Sequence, residues 1–161
     1  MHWAGADWSA DTAVPAATLQ RIMAAVLALP DGFNVHPKIR KLLDDRARMI
    51  EPGGRVDWAC AEMLAFGTLL LEGHRVRLAG QDSGRGTFSQ RHAVLTDVRT
   101  DRRHVPLDHM SPDQGRFVII DSMLSEAAVL GFEYGFSTAD PDNLVLWEAQ
   151  FGDFANGAQV M

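Results

Sequence analysis

A single glutamate stands at the start of the most apolar helix that the sequence predicts. Ser125 is a favourable N-cap residue. The run from Ala127 to Phe136 has Glu133 and Tyr134 as its only ionisable groups. A helix that is apolar on almost every side belongs in a core or at a subunit interface. Glu126 either stabilises the positive end of the helix dipole, which contributes about 0.3 to 1 kcal/mol, or occupies a functional position.

Two glycines four residues apart mark one face of this helix. Gly131 and Gly135 each cost about 1 kcal/mol relative to alanine in a helix, so close approach of another backbone is the natural compensation. The full pattern is Glu126, four residues, Gly131-Phe132, two residues and Gly135-Phe136. This spacing is the observation behind the functional interpretation of Glu126.

Other side chains with chemical potential follow a predicted strand or a glycine-rich loop. Gln150 lies at a strand end, where a buried amide needs hydrogen-bond partners. Arg91 and His92 follow a glycine-rich loop and are candidates to meet an acidic substrate or a neighbouring chain. Arg91 equally suits an ion pair with an acid. Phe154 suits either a ligand contact or a core position in a helix.

The sequence predicts no metal site that this chain forms alone. No two of the six histidines have the helical i, i+4 spacing, and none has a cysteine partner at zinc spacing. Cys60, the single cysteine, lies in an apolar helical run and suits a core position better than a nucleophile.

Four segments carry a resemblance to a known family. They are DGFNVHPKI (residues 31–39), GQDSGRGTFSQRHAVL (80–95), LSEAAVLGFEYGFS (124–137) and LVLWEAQFGDFANGAQ (144–159). The pattern of glutamate and glycines resembles the signature of the pyrimidine-binding domain of thiamine diphosphate enzymes. From about Thr12 to the last residue, the chain resembles the thiamine-dependent decarboxylating components of 2-oxoglutarate dehydrogenase complexes.

The resemblance implies a role for each residue that matches the family pattern. Glu126 would hydrogen-bond the pyrimidine ring nitrogen of thiamine diphosphate and so promote the tautomer that activates the cofactor for attack on a 2-oxo acid. Leu124 would offer its backbone carbonyl to the exocyclic amine. Phe154 would pack on the ring, with Gln150 and Phe151 nearby. The glycine face would pack against a partner subunit, in a homodimer or with a full-length homologue. The parent reaction is oxidative decarboxylation of 2-oxoglutarate with succinyl transfer to a lipoyl carrier.

The family pattern is incomplete in this sequence. The family binds the cofactor diphosphate through Mg²⁺ on a Gly-Asp-Gly motif of a separate domain, and the sequence contains no such motif. Family members continue past the position of Met161, and Met123 replaces the proline or small residue that often precedes Leu-Ser-Glu. We therefore expect the polypeptide to be inactive alone. The alternatives are a non-catalytic module that binds a full-length homologue or a second copy, and a truncated remnant without function.

An α/β fold is expected to position these residues. Apolar periodicity and helix breakers predict helices from Pro15 to about Pro30, over 34–50, over 56–72 and over 125–139. Short strands are predicted over 76–79, 116–121 and 144–147. A strand, a helix and a strand in succession indicate a parallel sheet with flanking helices. Ligands gather at the carboxyl ends of such strands, so the polar segments that follow them are expected to converge.

The predicted organisation is an incomplete transketolase-like pyrimidine-binding domain preceded by a helical segment. Residues 1–14 are expected to form a loosely ordered lead-in. Residues 15–54 form a helical linker segment that ends at a Glu-Pro-Gly-Gly hinge, and residues 55–161 form the first part of the domain.

Composition excludes several classes of protein. A chain of 161 residues with 47% hydrophobic residues can bury a core, and a net charge of -6 with a pI of ≈ 5.4 gives no attraction to nucleic acid or an anionic membrane. No apolar run approaches the roughly 20 residues that cross a bilayer, and the start does not read as a signal peptide. One cysteine rules out an intrachain disulfide, which suits a reducing compartment. We expect a cytoplasmic protein.

Overall fold

The structure is a computed structural model that describes residues 9–150 and 158–161. Its helices are α1 (Ala16–Leu27), α2 (Pro37–Met49), α3 (Trp58–Leu71) and α4 (Glu126–Ala139). Its strands are β1 (Val76–Gly80), β2 (Leu95–Thr96), β3 (Arg103–His104), β4 (Phe117–Asp121) and β5 (Leu144–Glu148), with a 3-10 turn over Pro106–His109. Within the described ranges, no helix combines the length and hydropathy needed to cross a bilayer.

Three strands form a parallel sheet in the order β4-β1-β5. The register pairs Gly80 with Asp121 on one side and with Glu148 on the other, so the three strands end together. We call this line of strand ends the carboxyl edge. Helix α4 connects β4 to β5 across the central strand, because parallel strands need a crossover connection. The predicted class, a partial α/β domain with a parallel sheet and flanking helices, is confirmed.

The hydrophobic core lies between α3, α1 and the sheet. Helix α3 is apolar on nearly all sides and buries seven of its residues: Ala59, Cys60, Met63, Leu64, Phe66, Gly67 and Leu70. A Cβ added at Gly67 would lie 2.6 Å from Ile22 Cγ2, so this glycine lets α1 and α3 pack closely. Asp57 caps α3 by accepting a hydrogen bond of 2.7 Å from the Cys60 N–H. The helices of the 15–54 segment thus share one core with α3.

The predicted bounds of α4, β1, β4 and β5 match the observed ones within one residue. The two-stranded ribbon of β2 and β3 was not predicted. Strands β2 and β3 have two residues each and pair antiparallel. A fully buried carboxylate, Asp97, orders this region by accepting N–H bonds from Asn34, Arg99 and Thr100. These backbone donors, chiefly Asn34 and Arg99, lower the pKa of Asp97 to about 2. Runs of two residues are too short for a period-2 pattern to reveal.

Candidate functional site

Four polar residues meet at the carboxyl edge: Gln81, Thr87, Glu126 and Gln150. Gln81, directly after β1, donates from Nε2 to Glu126 Oε1 at 3.4 Å. Gln150, after β5, donates from Nε2 to the Gln81 carbonyl at 3.0 Å and to Thr87 Oγ1 at 2.6 Å. The segments after β1, β4 and β5 therefore converge, as the parallel sheet predicted.

Glu126 is the first residue of α4, immediately after Ser125 at the N-cap position. The Ser125 side chain makes no capping hydrogen bond, so the free N–H groups and the dipole of the first turn favour a negative charge nearby. The Glu126 side chain is half-buried, and its one hydrogen-bond partner among the described residues is Gln81, at a long distance. Most of its acceptor capacity is therefore left for a ligand.

Close backbone approach shapes the turn that carries Gln81. At Gly80 the φ angle is +154°, and an added Cβ would lie 2.4 Å from the Glu148 carbonyl oxygen. A side chain cannot fit there, because β1 and β5 are paired at this residue. The N–H of Gly84 then donates to Asp121 Oδ1 at 2.8 Å, which ties the loop to the end of β4.

Arg91 holds three elements together next to this cluster. It is 8% exposed, and its Nε donates to Glu62 Oε1 at 2.6 Å. Its Nη1 donates to the Ser83 carbonyl at 2.8 Å, and its Nη2 reaches both Glu62 and Glu148. Burial acts to lower the pKa of Arg91, but its hydrogen bonds to the carboxylates of Glu62 and Glu148 raise that pKa above its ordinary value. Four of the five N–H groups are engaged, so the ion-pair interpretation describes most of this side chain.

His92 lies beside Arg91 and also borders a second cleft. Its backbone has φ +48°, and its half-buried side chain lines a cleft of ≈ 470 Å³ together with His36 and Arg85. Burial, then the charges of Arg46 and Arg85, lower the pKa of His92 below its ordinary value. The imidazole is consequently neutral near pH 7 and can act as a hydrogen-bond donor or acceptor. A substrate contact by Arg91 or His92 stays a prediction.

Of the remaining predicted site residues, Leu124 falls within the described ranges. Leu124 is 75% exposed, next to Met123 at 76%, in the turn between β4 and α4. The N–H of Ser125 donates to the Met123 carbonyl at 3.0 Å and closes that turn. Phe151 and Phe154 lie outside the described residues.

Helix α4 has exposed aromatic side chains and an uncovered face at Gly135, although Phe132 and Phe136 also contact Arg77 of the sheet. Phe132, Tyr134 and Phe136 are 60%, 68% and 37% exposed. A Cβ built on Gly135 would find no described atom within 4 Å, and one on Gly131 would meet Met161 Cε at 3.0 Å. Sequence reasoning placed this helix in a core or an interface, and within the described chain no core covers this face.

Sequence reasoning did not single out two members of the cluster, Gln81 and Thr87. Both lie in the 80–95 segment, and Gln81 opens the polar stretch that was expected to follow β1. Their roles depend on contacts 45 and 63 residues away, with Glu126 and Gln150, which composition does not reveal. No group of three possible metal ligands occurs among the residues that the structure describes.

A known protein family matches the part of the chain that holds the site. The model of the transketolase pyrimidine-binding domain matches residues 54–161. The chain is 57% identical over 150 residues to a protein named 2-oxoglutarate dehydrogenase E1 component from Brucella ovis, and equally to those from Brucella canis and Brucella anthropi. Each match covers 93% of this chain and 15% of the relative. The chain therefore spans a small part of the length of the curated relatives it matches.

Proposed function

This chain belongs to the transketolase pyrimidine-binding domain family, and from that premise we propose that it supplies the pyrimidine half of a thiamine diphosphate site. The observation that carries the proposal is the Glu126 carboxyl, half-buried at the carboxyl edge and joined through Gln81 to Gln150. The similarity of the chain to 2-oxoglutarate dehydrogenase components favours a 2-oxo acid, 2-oxoglutarate, as substrate of the whole enzyme.

The residues of the carboxyl edge fit an amino-substituted pyrimidine. A carboxyl with spare capacity can hold a proton at a ring nitrogen, and nearby amides can orient that carboxyl. Leu124, exposed beside Glu126, offers a backbone carbonyl for an amine and an apolar side chain for a ring. When bound, thiamine diphosphate supplies the carbon nucleophile for decarboxylation of a 2-oxo acid.

The diphosphate end is assigned, in this proposal, to groups from another domain. Within the described ranges no cluster of three carboxylates, imidazoles or thiols could hold Mg²⁺. We infer an oligomeric enzyme of the cytoplasm in which another domain holds Mg²⁺ and the diphosphate. That enzyme passes the succinyl group to a lipoyl carrier, and this chain alone does not turn over substrate.

A hybrid enzyme tests the role of Glu126. In the hybrid, this chain replaces the matched 150 residues of the Brucella ovis relative. With thiamine diphosphate and Mg²⁺ the hybrid is expected to decarboxylate 2-oxoglutarate, and Glu126→Gln is expected to lower kcat by about 10²- to 10³-fold. Glu72→Gln, at an exposed glutamate that ends α3, is the matched control and retains the rate.

Two outcomes would contradict the proposal. An inactive hybrid, or one in which Glu126→Gln keeps the full rate, removes the catalytic assignment. The isolated chain is expected to give no decarboxylation above background. Turnover by that chain, abolished by Glu126→Gln, would show that no second half is needed.

The open face of α4 favours a second candidate function, a non-catalytic interaction module. Exposed aromatic residues on α4 and the uncovered position at Gly135 are the kind of surface that associates with another protein. In this case the chain binds a full-length homologue or a second copy, and Glu126 is a helix-end acid. Two results together would favour this candidate. The chain would co-purify with a full-length homologue and lose this association on Gly135→Leu, and the hybrid enzyme would be insensitive to Glu126→Gln.

A further inference from the structure

Helix α4 turns one face towards the sheet, and that face carries one carboxylate at its start and a second near its middle. The buried and half-buried positions of α4 recur at helical spacing and include Glu126, Val129, Leu130, Glu133 and Ser137. Glu126 and Glu133 are seven residues apart, which is two helical turns, so they project on the same side about 10 Å apart along the axis. Any rotation of α4 about its axis therefore moves both carboxylates together.

Arg77, on the central strand, binds the second of these carboxylates. Its Nε donates to Glu133 Oε2 at 2.6 Å, and its Nη2 donates to Glu133 Oε1 at 2.7 Å. The two side chains are 14% and 4% exposed. The guanidinium carbon also lies 5.3 Å from the ring centroid of Phe132 and 4.8 Å from that of Phe136. One strand side chain thus contacts three residues of α4.

These contacts are the most specific attachment of α4 to the described chain. Glu133 is the one fully buried side chain of the helix, while Val129 and Leu130 are only half-buried. Apolar contacts of that kind tolerate small rotations, whereas a bidentate pair between two planar groups does not. A rotation of about 20° would displace a carboxylate about 6 Å from the axis by about 2 Å. Such a displacement is large, since an error of about 1 Å at a reacting group can lower a rate about 10²-fold.

We propose that Arg77 is a positioning residue whose bidentate pair with Glu133, flanked by Phe132 and Phe136, sets the rotation of α4 and so the direction of the Glu126 carboxyl. The proposal rests on the proposed function, because it concerns the aim of Glu126. It predicts that the planar guanidinium is needed at this position and that a charge alone is not sufficient. Lysine provides one compact charge, so it cannot make the bidentate pair.

Hydrogen exchange on the 161-residue chain tests the attachment. In Arg77→Lys and in Glu133→Gln, the amides of α4 are expected to exchange at least tenfold faster, while those of α1 and α3 keep their rates. Arg75→Lys, at an exposed arginine just before β1, is the matched control. The proposal would be overturned if the α4 amides kept their exchange rates in both Arg77→Lys and Glu133→Gln. It would also be overturned if amide exchange became faster to the same extent in all helices.

Kinetics of the hybrid enzyme test the aim of Glu126. Arg77→Lys is expected to lower kcat per folded enzyme about 10- to 100-fold, with KM for 2-oxoglutarate changed less than threefold. In a Glu126→Gln background the same substitution is expected to have almost no further effect on the residual rate, because both changes remove the same interaction, that of the Glu126 carboxyl with its ligand. A residue needed only for folding would lower the folded fraction and leave kcat per folded enzyme unchanged.

The outcomes separate this inference from the proposed function. An inactive hybrid, or one indifferent to Glu126→Gln, contradicts the proposed function. A hybrid that needs Glu126 but keeps kcat in Arg77→Lys contradicts only the positioning role. Equal additional loss in the wild-type and Glu126→Gln backgrounds contradicts that role as well.

Discussion

Acidic side chains at the carboxyl edge differ in how much of their hydrogen-bonding capacity is already used. Glu148 pairs with the buried Arg91, and Asp121 accepts the Gly84 N–H at 2.8 Å. Glu126 receives one long bond from Gln81. The carboxylate with most spare capacity is thus the one at the start of α4, where a helix dipole and an open turn adjoin it. This difference is the reason for proposing Glu126, rather than Asp121 or Glu148, as the acid that binds a ligand.

Replacement of Arg91 by methionine is expected to destabilise the isolated chain by about 2 to 3 kcal/mol. The change leaves Glu62 and Glu148 without their cation at 20% and 22% exposure, so the loss falls below that of a fully buried pair. Urea unfolding of the isolated chain measures the difference. Arg85→Met, which removes an exposed pair with Asp82, is the control and is expected to have a much smaller effect. Equal effects of the two substitutions would contradict the structural role of Arg91.

Glycines show how the same residue type serves opposite purposes in different elements. Gly80 ends β1 where a Cβ would lie 2.4 Å from a β5 carbonyl oxygen, so its absence of a side chain is required within this chain. Gly135 lies in α4 with no described atom within 4 Å of an added Cβ. Its cost to the helix has no compensation inside the described chain, which is expected if another chain or domain packs there.

Alanine substitutions at these two glycines are expected to change stability in opposite directions. Gly80→Ala destabilises the isolated chain by about 1 to 3 kcal/mol, because two paired backbones must separate. Gly135→Ala stabilises it by up to about 1 kcal/mol through helix propensity. Thermal unfolding of both variants under one set of conditions provides the measurement. A destabilising Gly135→Ala would mean that this face of α4 is already packed in the isolated chain.

Across the whole molecule, two partly buried histidines oppose protonation of the folded state. Burial lowers the pKa of His92, and the charge of Arg46 lowers it further. Burial likewise lowers the pKa of His104, whose ring centroid lies 4.9 Å from that of His109. Both imidazoles are neutral in either state at high pH. As the pH falls below about 6.5, the unfolded chain binds protons first, so the folded state loses relative stability.

The free energy of unfolding is therefore expected to be lower at pH 5.5 than at pH 7.5. Asp97 does not contribute in this window. Its pKa of about 2 in the folded chain and its ordinary value of 3.8 both lie below pH 5.5, so the stability that it provides is lost only in stronger acid. The double variant His92→Gln/His104→Gln should show a flatter profile in urea unfolding. His74→Gln, at an exposed histidine, should keep the slope of the parent chain. A parent profile that is flat between these pH values would contradict the assignment.

Local patterns determined the elements and the class of fold. The N-cap at Ser125, the apolar run after it and the breaker at residues 140–143 predicted α4 to its last residue, Ala139. Apolar runs between turn residues likewise predicted β1, β4 and β5, because strand and helix periods depend on neighbouring residues alone. Succession of these elements was sufficient to predict a parallel sheet and to bring Glu126 and Gln150 to one edge of it.

The tertiary structure decided which groups touch. The bonds from Arg91 to Glu62 and Glu148 join residues 29 and 57 positions apart, and the pair between Arg77 and Glu133 spans 56. Such contacts depend on strand register and on helix rotation, to which local pattern is insensitive. Sequence pattern thus predicted an acid at the head of an apolar helix. Only packing in three dimensions revealed the arginine that holds this helix and the aromatic face that the described chain leaves open.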